Sequence, residues 1–273
     1  MNDAASGPKR AAQTDAALAV HAADHAPEHA ETQAVVLRYA RRQSSNPQIG
    51  ALDRYSALRP EVWHALQERQ RALLRGLAAF AQMRDGSTLS AANPMASWSL
   101  VEVGCGDGGN LLDLLRWGFL PQHLLGLELL PERFDHARRV LPARTPLWLG
   151  DATQAPVAPA SQDLVLQATV FSSLLDDQFQ QQLARTMWSW LRPGGAVIWY
   201  DFTVNNPRNP DVRGVPMRRV KALFPQARIK SERLTLAPPL ARALCRLHPA
   251  LYPVFNRLPL LRTHVLAWLH KPL

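Results

Sequence analysis

Cysteine is scarce in this chain of 273 residues. Only Cys105 and Cys245 occur, too few and too far apart for a disulfide framework, so a reducing cytoplasm is the expected compartment. Long apolar runs are missing as well. Nothing approaches the roughly 20 apolar residues of a membrane span. Near the start, AALAV at 16–20 is too short for the apolar region of a signal peptide, so none is expected. Acids are nearly absent from one end. Residues 211–273 hold two acids against twelve bases, whereas the preceding 210 residues are close to balance, so the net charge of +9 resides in this last stretch. A local basic surplus fits an anionic substrate, a lipid headgroup surface or nucleic acid, and equally a solvated basic face. No internal repeat is present.

Residues 1–32 are Ala-rich and hold too few apolar side chains to bury, so they are expected to be a disordered tail. His21, His25 and His29 have helical spacing, but Pro27 interrupts it, and no metal site is expected. Residues 33–59, with RYARRQ and LDRYSALRP, read as an ordered arm. From Pro60, PEVWHALQERQRALLRGLAAF reads as a helix with proline in its first turn and apolar residues at helical spacing. Strands and helices then alternate. Strands are expected at 98–104, 123–129, 146–151, 163–168 and 196–202, with helices between them, the last (176–191) stopped by RPGG. This β-α rhythm predicts an α/β fold with a doubly wound parallel sheet, whose ligands bind at the carboxyl ends of the strands. Further on, 227–237 and 263–271 read as strands. The proline-broken, basic and apolar stretch 238–262 lies between them and reads as short helices.

VEVGCGDGGN (101–110) follows the first strand and carries two overlapping glycine patterns. Gly104, Gly106 and Gly109 fit a dinucleotide loop. Glu102, Gly104, Gly106 and Gly108 fit E-x-G-x-G-x-G. A pyrophosphate on this loop would meet Asp107 and Glu102, each contact costing about 1–4 kcal/mol at 4 Å, depending on screening. S-adenosylmethionine carries a sulfonium and an ammonium, which favour nearby acids, and a ribose diol and an adenine amine that donate to them. Glu128, ending the second strand, suits the ribose hydroxyls in either reading. Asp151, ending the third, suits the adenine amine, although both residues also fit turn or cap roles.

Taken together, VEVGCGDGGN, GLELLPERF, GDATQAP, DLVLQATVFSSL and LRPGGAVIWYDF resemble, in order, the five motifs of the class I S-adenosylmethionine-dependent methyltransferases, over roughly residues 60–271. YDFTVNNPRNPDVRGVP and LLRTHVLAWLHKP also resemble a bacterial subgroup associated with polysaccharide and natural-product biosynthesis. The resemblance implies a Rossmann-like seven-stranded sheet, order 3-2-1-4-5-7-6 with the last strand antiparallel. It thereby implies a methyltransferase domain over 60–273, with 238–262 inserted as a helical cap between the final strands. It also implies S-adenosylmethionine as cofactor, held by Glu102, Gly104, Cys105, Gly106, Asp107, Asn110, Glu128, Leu129, Asp151, Ala152 and Gln167.

By sheet position the acceptor pocket is expected at Thr169, Phe171, Ser172, Tyr200 and Arg208, with Asp201 as candidate base. Asp201 equally fits a satisfied turn carboxylate, and His264, opening the last strand, reads as structural. The family's base-methylating subgroups carry N/D-P-P-Y/F where this chain has QATVFSS, which disfavours amide or adenine nitrogen. The expected acceptor is therefore a small molecule, a hydroxyl of a sugar, glycolipid precursor or secondary metabolite. Arg208, Arg213, Arg218 and Arg219 suit an anionic group on it. Residues 238–262 suit peripheral contact with an anionic inner-membrane surface. The alternatives are an RNA methyltransferase using the basic end and an inactive cofactor-binding regulatory protein.

Overall fold

The first strand shows how the sequence builds this molecule. All four residues of β1 (Leu100–Val103) are buried, as expected of a parallel strand covered on both faces. Alternation sends Leu100 and Glu102 to one face and Val101 and Val103 to the other. In the computed structural model, which describes residues 30–44, 56–88, 93–206 and 209–273, six more strands join it: β2 (Leu124–Glu128), β3 (Leu147–Leu149), β4 (Gln162–Ala168), β5 (Leu191–Phe202), β6 (Arg228–Leu236) and β7 (Arg262–His270). Their order is β3-β2-β1-β4-β5-β7-β6. The first five are parallel, and β7 runs antiparallel to both β5 and β6. This is the order and the antiparallel closure that the sequence led us to expect.

Helices cover both faces. One is packed by α2 (Pro60–Asp85), α3 (Gly109–Arg116) and α4 (Pro131–Val140), which meet Leu100, Leu164, Ile198, Leu266 and Trp268 of the sheet. Here α2 approaches β7 so closely that a Cβ at Gly76 would lie 2.2 Å from the Trp268 ring. The other face is packed by α1 (Ala30–Ser44), α5 (Asp177–Trp190) and α6 (Met217–Leu223) against Val101, Val165, Val197 and Val265. Local signals set the ends. Pro60 and Pro131 open their helices and Gly86 closes α2 in the left-handed region, while Asp176 caps α5 by accepting from the backbones of Gln178 and Phe179. At the amino edge of the sheet, buried Asp163 binds Arg84 of α2 at 2.6 Å, Arg192 at 2.9 Å and the Ser99 backbone at 2.7 Å, fastening helix to sheet.

Two readings need correction. Ala30–Thr32, assigned to a tail, form the first turn of α1, with Thr32 buried, because Glu31 is anchored to the body of the protein as described below. The LRPGG stretch does stop α5 at Trp190, but it is the beginning of β5. Leu191 pairs with Gln162, and regular pairing resumes only at Ala196 with Leu164, leaving Arg192–Gly195 as a bulge. The segment between β6 and β7 folds as short helices, α7 (Pro238–Leu247) and α8 (Leu251–Phe255) and a 3-10 turn. The triad His21, His25 and His29 lies outside the described residues, and among those described no group of three His, Cys, Asp or Glu is placed to hold a metal.

Candidate functional site

The loop after β1 turns three times through the left-handed region, at Gly104 (φ 65°), Gly106 (φ 57°) and Gly108 (φ 83°), conformations that residues with a Cβ resist. Its position is fixed from β2: the Cys105 backbone donates to the Leu127 carbonyl at 2.9 Å, and the Gly106 backbone to Glu128 Oε2 at 2.7 Å. At Gly106 a Cβ would point into space, with Arg133 Nη1 its nearest neighbour at 4.0 Å. The loop is thus an open cradle at that point.

Three carboxylates reach this edge. Glu128 accepts from the backbones of Gly106, Leu129 and Leu130, and burial raises its pKa. Asp151 caps the turn after β3, taking the Thr153 backbone at 2.8 Å and hydroxyl at 2.9 Å on Oδ1. Its Oδ2 is buried with no protein partner. Glu102 is fully buried; Asn110 Nδ2 donates to its Oε1 at 2.6 Å, and Oε2 has no partner. Burial pushes the Glu102 pKa from 4.5 up to about 8, against the opposing pull of Asn110 and Arg69. Two buried acceptors without donors flank an open glycine cradle. That pattern fits a ligand with N–H donors at both ends, as the ammonium and the adenine amine of S-adenosylmethionine supply.

A cavity runs from Gly104 across Glu128, Leu129, Asp151 and Ala152 to Thr169. Of the expected cofactor residues, Gly104, Glu128, Leu129, Asp151 and Ala152 line it; Gly106 adjoins it through its bond to Glu128, and Glu102 and Asn110 do not line it. Other expected residues are placed differently. The Cys105 side chain points into the core against Leu111 and Gly126, so only its backbone belongs to the loop. Asp107 is exposed. Gln167 is fully buried; its side-chain amide donates to the Tyr200 carbonyl at 3.4 Å and accepts from the Val170 backbone at 3.1 Å. On the acceptor side, Phe171 is core, its ring 4.5 Å from that of Trp199, because it follows the strained Thr169 (φ 59°) into the α5 face. Ser172 is buried beside it. Asp201 faces the same way, fully buried, accepting from the backbones of Ser172 at 3.1 Å and Phe202 at 2.9 Å, with burial raising its pKa to about 7. It is a turn carboxylate rather than a base at the pocket. Arg208 lies outside the described residues.

The opposite sheet face gathers Tyr200, expected in the acceptor pocket, His264, read from the sequence as structural, and Arg69, which the sequence did not single out. Tyr200 and Phe202 share that face with Glu102, and in register Phe202 lies beside His264. The imidazole stacks on Tyr200, centroids 5.2 Å apart. Burial and the Arg69 cation lower its pKa to about 4. Arg69 of α2 lies 5.2 Å above the Tyr200 ring and donates to Asn110 Oδ1 at 2.7 Å. One chain of contacts therefore runs Glu102–Asn110–Arg69–Tyr200–His264. The register of a β7 antiparallel to β5 could have revealed His264. Nothing in the helix pattern of α2 marks Arg69.

The cavity is also walled by α1 through Thr32, Val35 and Tyr39. The helix is anchored by a buried pair: Arg38 donates to Glu31 at 2.6 Å and to the Ser173 carbonyl at 2.9 Å, and the Leu175 backbone donates to Glu31 at 2.7 Å. Arg133 lies 4.7 Å above the Tyr39 ring. The aromatics and arginines of RYARRQ hinted at order here, not at a wall of the site.

Residues 100–195 match the family described as "Methyltransferase domain". A curated relative, the tRNA N(3)-methylcytidine methyltransferase Mettl2 of Drosophila melanogaster, is 28% identical over 112 residues, which are 38% of this chain and 34% of that protein. The chain thus spans about a third of that relative's length. Among solved structures, an S-adenosylmethionine-dependent methyltransferase from Mesorhizobium loti is 18% identical, with TM-score 0.50, over 72% of this chain and all of that one. A putative sarcosine dimethylglycine methyltransferase from Galdieria sulphuraria is 14% identical, with TM-score 0.54, over 78% and 88%. A phosphoethanolamine N-methyltransferase from Haemonchus contortus is 12% identical, with TM-score 0.55, over 90% and 50%. At these identities the structural likeness is one of fold.

Proposed function

We propose, on the premise that this chain carries a class I S-adenosylmethionine-dependent methyltransferase domain, that it methylates a hydroxyl of a small-molecule acceptor. A sugar, a glycolipid precursor or a secondary metabolite fits. The observation that carries this reading is the continuous set from Glu102 to His264. It joins the buried acid beside the glycine cradle to a neutral imidazole and a cation on the same sheet face.

S-adenosylmethionine supplies a methyl carbon already activated by its sulfonium. The chain's task is then alignment and proton management. Glu102 holds the ammonium end, Asp151 the adenine amine and Glu128 the ribose. His264 is uncharged at neutral pH; with Nδ1–H donating to the Thr263 hydroxyl at 3.1 Å, Nε2 is the nitrogen that accepts a proton. A hydroxyl becomes strongly acidic as its oxygen bonds to the methyl carbon, so even a weakly basic imidazole is sufficient at that moment. The Arg69 cation opposes a protonated, oxonium-like oxygen and so favours loss of the hydroxyl proton as the oxygen bonds to the methyl carbon. Asp201, spent on backbone donors, has no part in the transfer.

The test is titration calorimetry with S-adenosylmethionine, followed by release of S-adenosylhomocysteine on adding pools of hydroxylated acceptors. Cofactor binding without turnover on any hydroxyl, but with turnover on RNA, would replace this reading by a second one. That second reading rests on the tRNA substrate named for the curated relative and on the surplus of ten positive charges in residues 211–273.

A further inference from the structure

The segment between β6 and β7 has two unlike sides. Inward, Ala241, Leu244, Cys245 and Tyr252 bury against Leu236. His64 of α2 stacks on Tyr252 with centroids 4.9 Å apart, and Asn256 donates to Glu68 at 2.8 Å. Outward, four large aliphatic side chains within fourteen residues stand in solvent: Leu247 (78% exposed), Val254 (58%), Leu258 (54%) and Leu260 (91%). Single exposed leucines are ordinary, but four within one short segment point to an interaction surface. The segment's own charges are of one sign, the acids Glu61 and Glu68 that act on its Cys245 and Tyr252 belonging to α2. From Arg233 to Leu273 there is no acid at all and there are six cations. Of these, Arg242, Arg246 and Arg257 are exposed on the same segment.

We propose that this outer face docks on an anionic phospholipid bilayer. Leu247, Val254, Leu258 and Leu260 enter the boundary between headgroups and acyl chains, and Arg242, Arg246 and Arg257 lie at the phosphates. No helix among the described residues is long and apolar enough to cross a membrane, so the contact is peripheral. A basic surface can also take RNA, but RNA is gripped by aromatic faces that stack on bases. Here the exposed apolar groups are aliphatic, which gains nothing from bases and does gain from lipid. The placement has a consequence for the site. The segment ends at Arg262, two residues before His264, so docking holds the acceptor edge against the lipid surface, where an acceptor with a lipid anchor is delivered. This inference goes beyond the transfer reading and is tested without turnover.

The full chain is floated with vesicles of phosphatidylcholine alone or with 30% phosphatidylserine, at low and high salt, while calorimetry with S-adenosylmethionine runs on the same preparations. Binding to the anionic vesicles only, and its loss at high salt, is expected. Arg242→Gln, Arg246→Gln and Arg257→Gln together are expected to weaken it roughly 100-fold, at about fivefold per cation. Leu247→Ser with Leu260→Ser is expected to release the protein from vesicles with its thermal melt and cofactor binding unchanged. Wild-type protein that stays off the anionic vesicles at low salt overturns the proposal, as does vesicle binding indifferent to the leucine pair. Tight RNA binding abolished by the arginine changes, with no vesicle binding, assigns the face to nucleic acid instead. Cofactor binding that persists through any of these failures leaves the transfer reading standing.

Discussion

Glu102→Gln separates what this site does for stability from what it does for binding. The carboxyl is fully buried, has one donor, Asn110, and leaves Oε2 without a partner. In the unfolded chain its pKa is near 4.5; in the fold it is about 8. Below pH 4.5 both states hold the proton and the group contributes no pH dependence. Between 4.5 and 8 the unfolded chain releases it while the folded chain keeps it, so stability falls as pH rises. Above 8 both are ionised and the loss is complete. A raise of about 3.5 in pKa, at ~1.4 kcal/mol each, bounds that loss at ~5 kcal/mol. Local relaxation and water entry should reduce it to about 1–3 kcal/mol. The amide of Gln keeps the size and the bond to Asn110 but cannot ionise. Denaturant unfolding of the ligand-free protein should therefore show Glu102→Gln near wild type at pH 5.5 and more stable by about 1–3 kcal/mol at pH 8.5. Cofactor binding should change in the opposite sense. A bound ammonium favours the carboxylate, so wild-type affinity should climb with pH up to about 8, with a proton released on binding, visible as buffer-dependent calorimetric heats. The variant should bind weakly and without proton release. Equal stability of variant and wild type at both pH values, or wild-type affinity flat in pH, would refute the reasoning.

Other perturbations test the rest of the site. Gly106→Val should abolish cofactor binding by calorimetry while the protein still folds, because its side chain enters the open cradle. Some stability should also be lost, since valine resists φ 57°; a variant that binds normally would place the ligand elsewhere. Arg38→Ala strands Glu31 as a buried charge, so α1 should detach rather than the whole domain unfold. Limited proteolysis near residue 44 and a cofactor affinity lowered about tenfold, or ~1.4 kcal/mol, are the expected readouts. His264→Ala should reduce kcat by a factor of about 10² to 10⁴ on the native hydroxyl acceptor. Because the wild-type imidazole is neutral above pH 5, kcat should show no histidine step between pH 6 and 8. Asp201→Asn should leave kcat within a fewfold.

The strands were legible because burial on both faces forces near-continuous apolar runs, and Leu100–Val103, Leu164–Leu166 and Ala196–Tyr200 stand out from the helices between them. The glycine loop was legible because three left-handed residues in five positions leave a compositional mark. Helix starts at Pro60 and Pro131 were legible for the same kind of reason, a local steric rule. Long-range partnerships left no such mark. Phe171 and Ser172 sit next to Thr169 in sequence, yet the positive φ at Thr169 sends them under α5 instead of into the pocket. Arg69 joins the site only because α2 crosses the sheet where Asn110 begins α3. The arm that walls the cavity carries its information in one buried pair, Glu31 with Arg38, whose other partners, Ser173 and Leu175, lie well over a hundred residues away.

The carboxylates at this edge show why residue type and strand position were not enough to assign roles. Glu102, Glu128 and Asp201 are all acids at or near strand ends, all buried and all raised in pKa. What differs is how their oxygens are used. Asp201 takes backbone donors on both oxygens, so its burial is already compensated within the protein. Glu128 takes three, which fixes the glycine loop and still leaves acceptor capacity toward the cavity. Glu102 is compensated on one side only, by a single amide. A buried acceptor without a donor costs about 1–3 kcal/mol, and a fold with no use for it would lose nothing by replacing it with an apolar residue. A cationic N–H donor on a bound ligand would remove that cost and favour the ionised acid over the protonated one. Of the three, Glu102 is therefore the one whose presence argues for a cationic ligand.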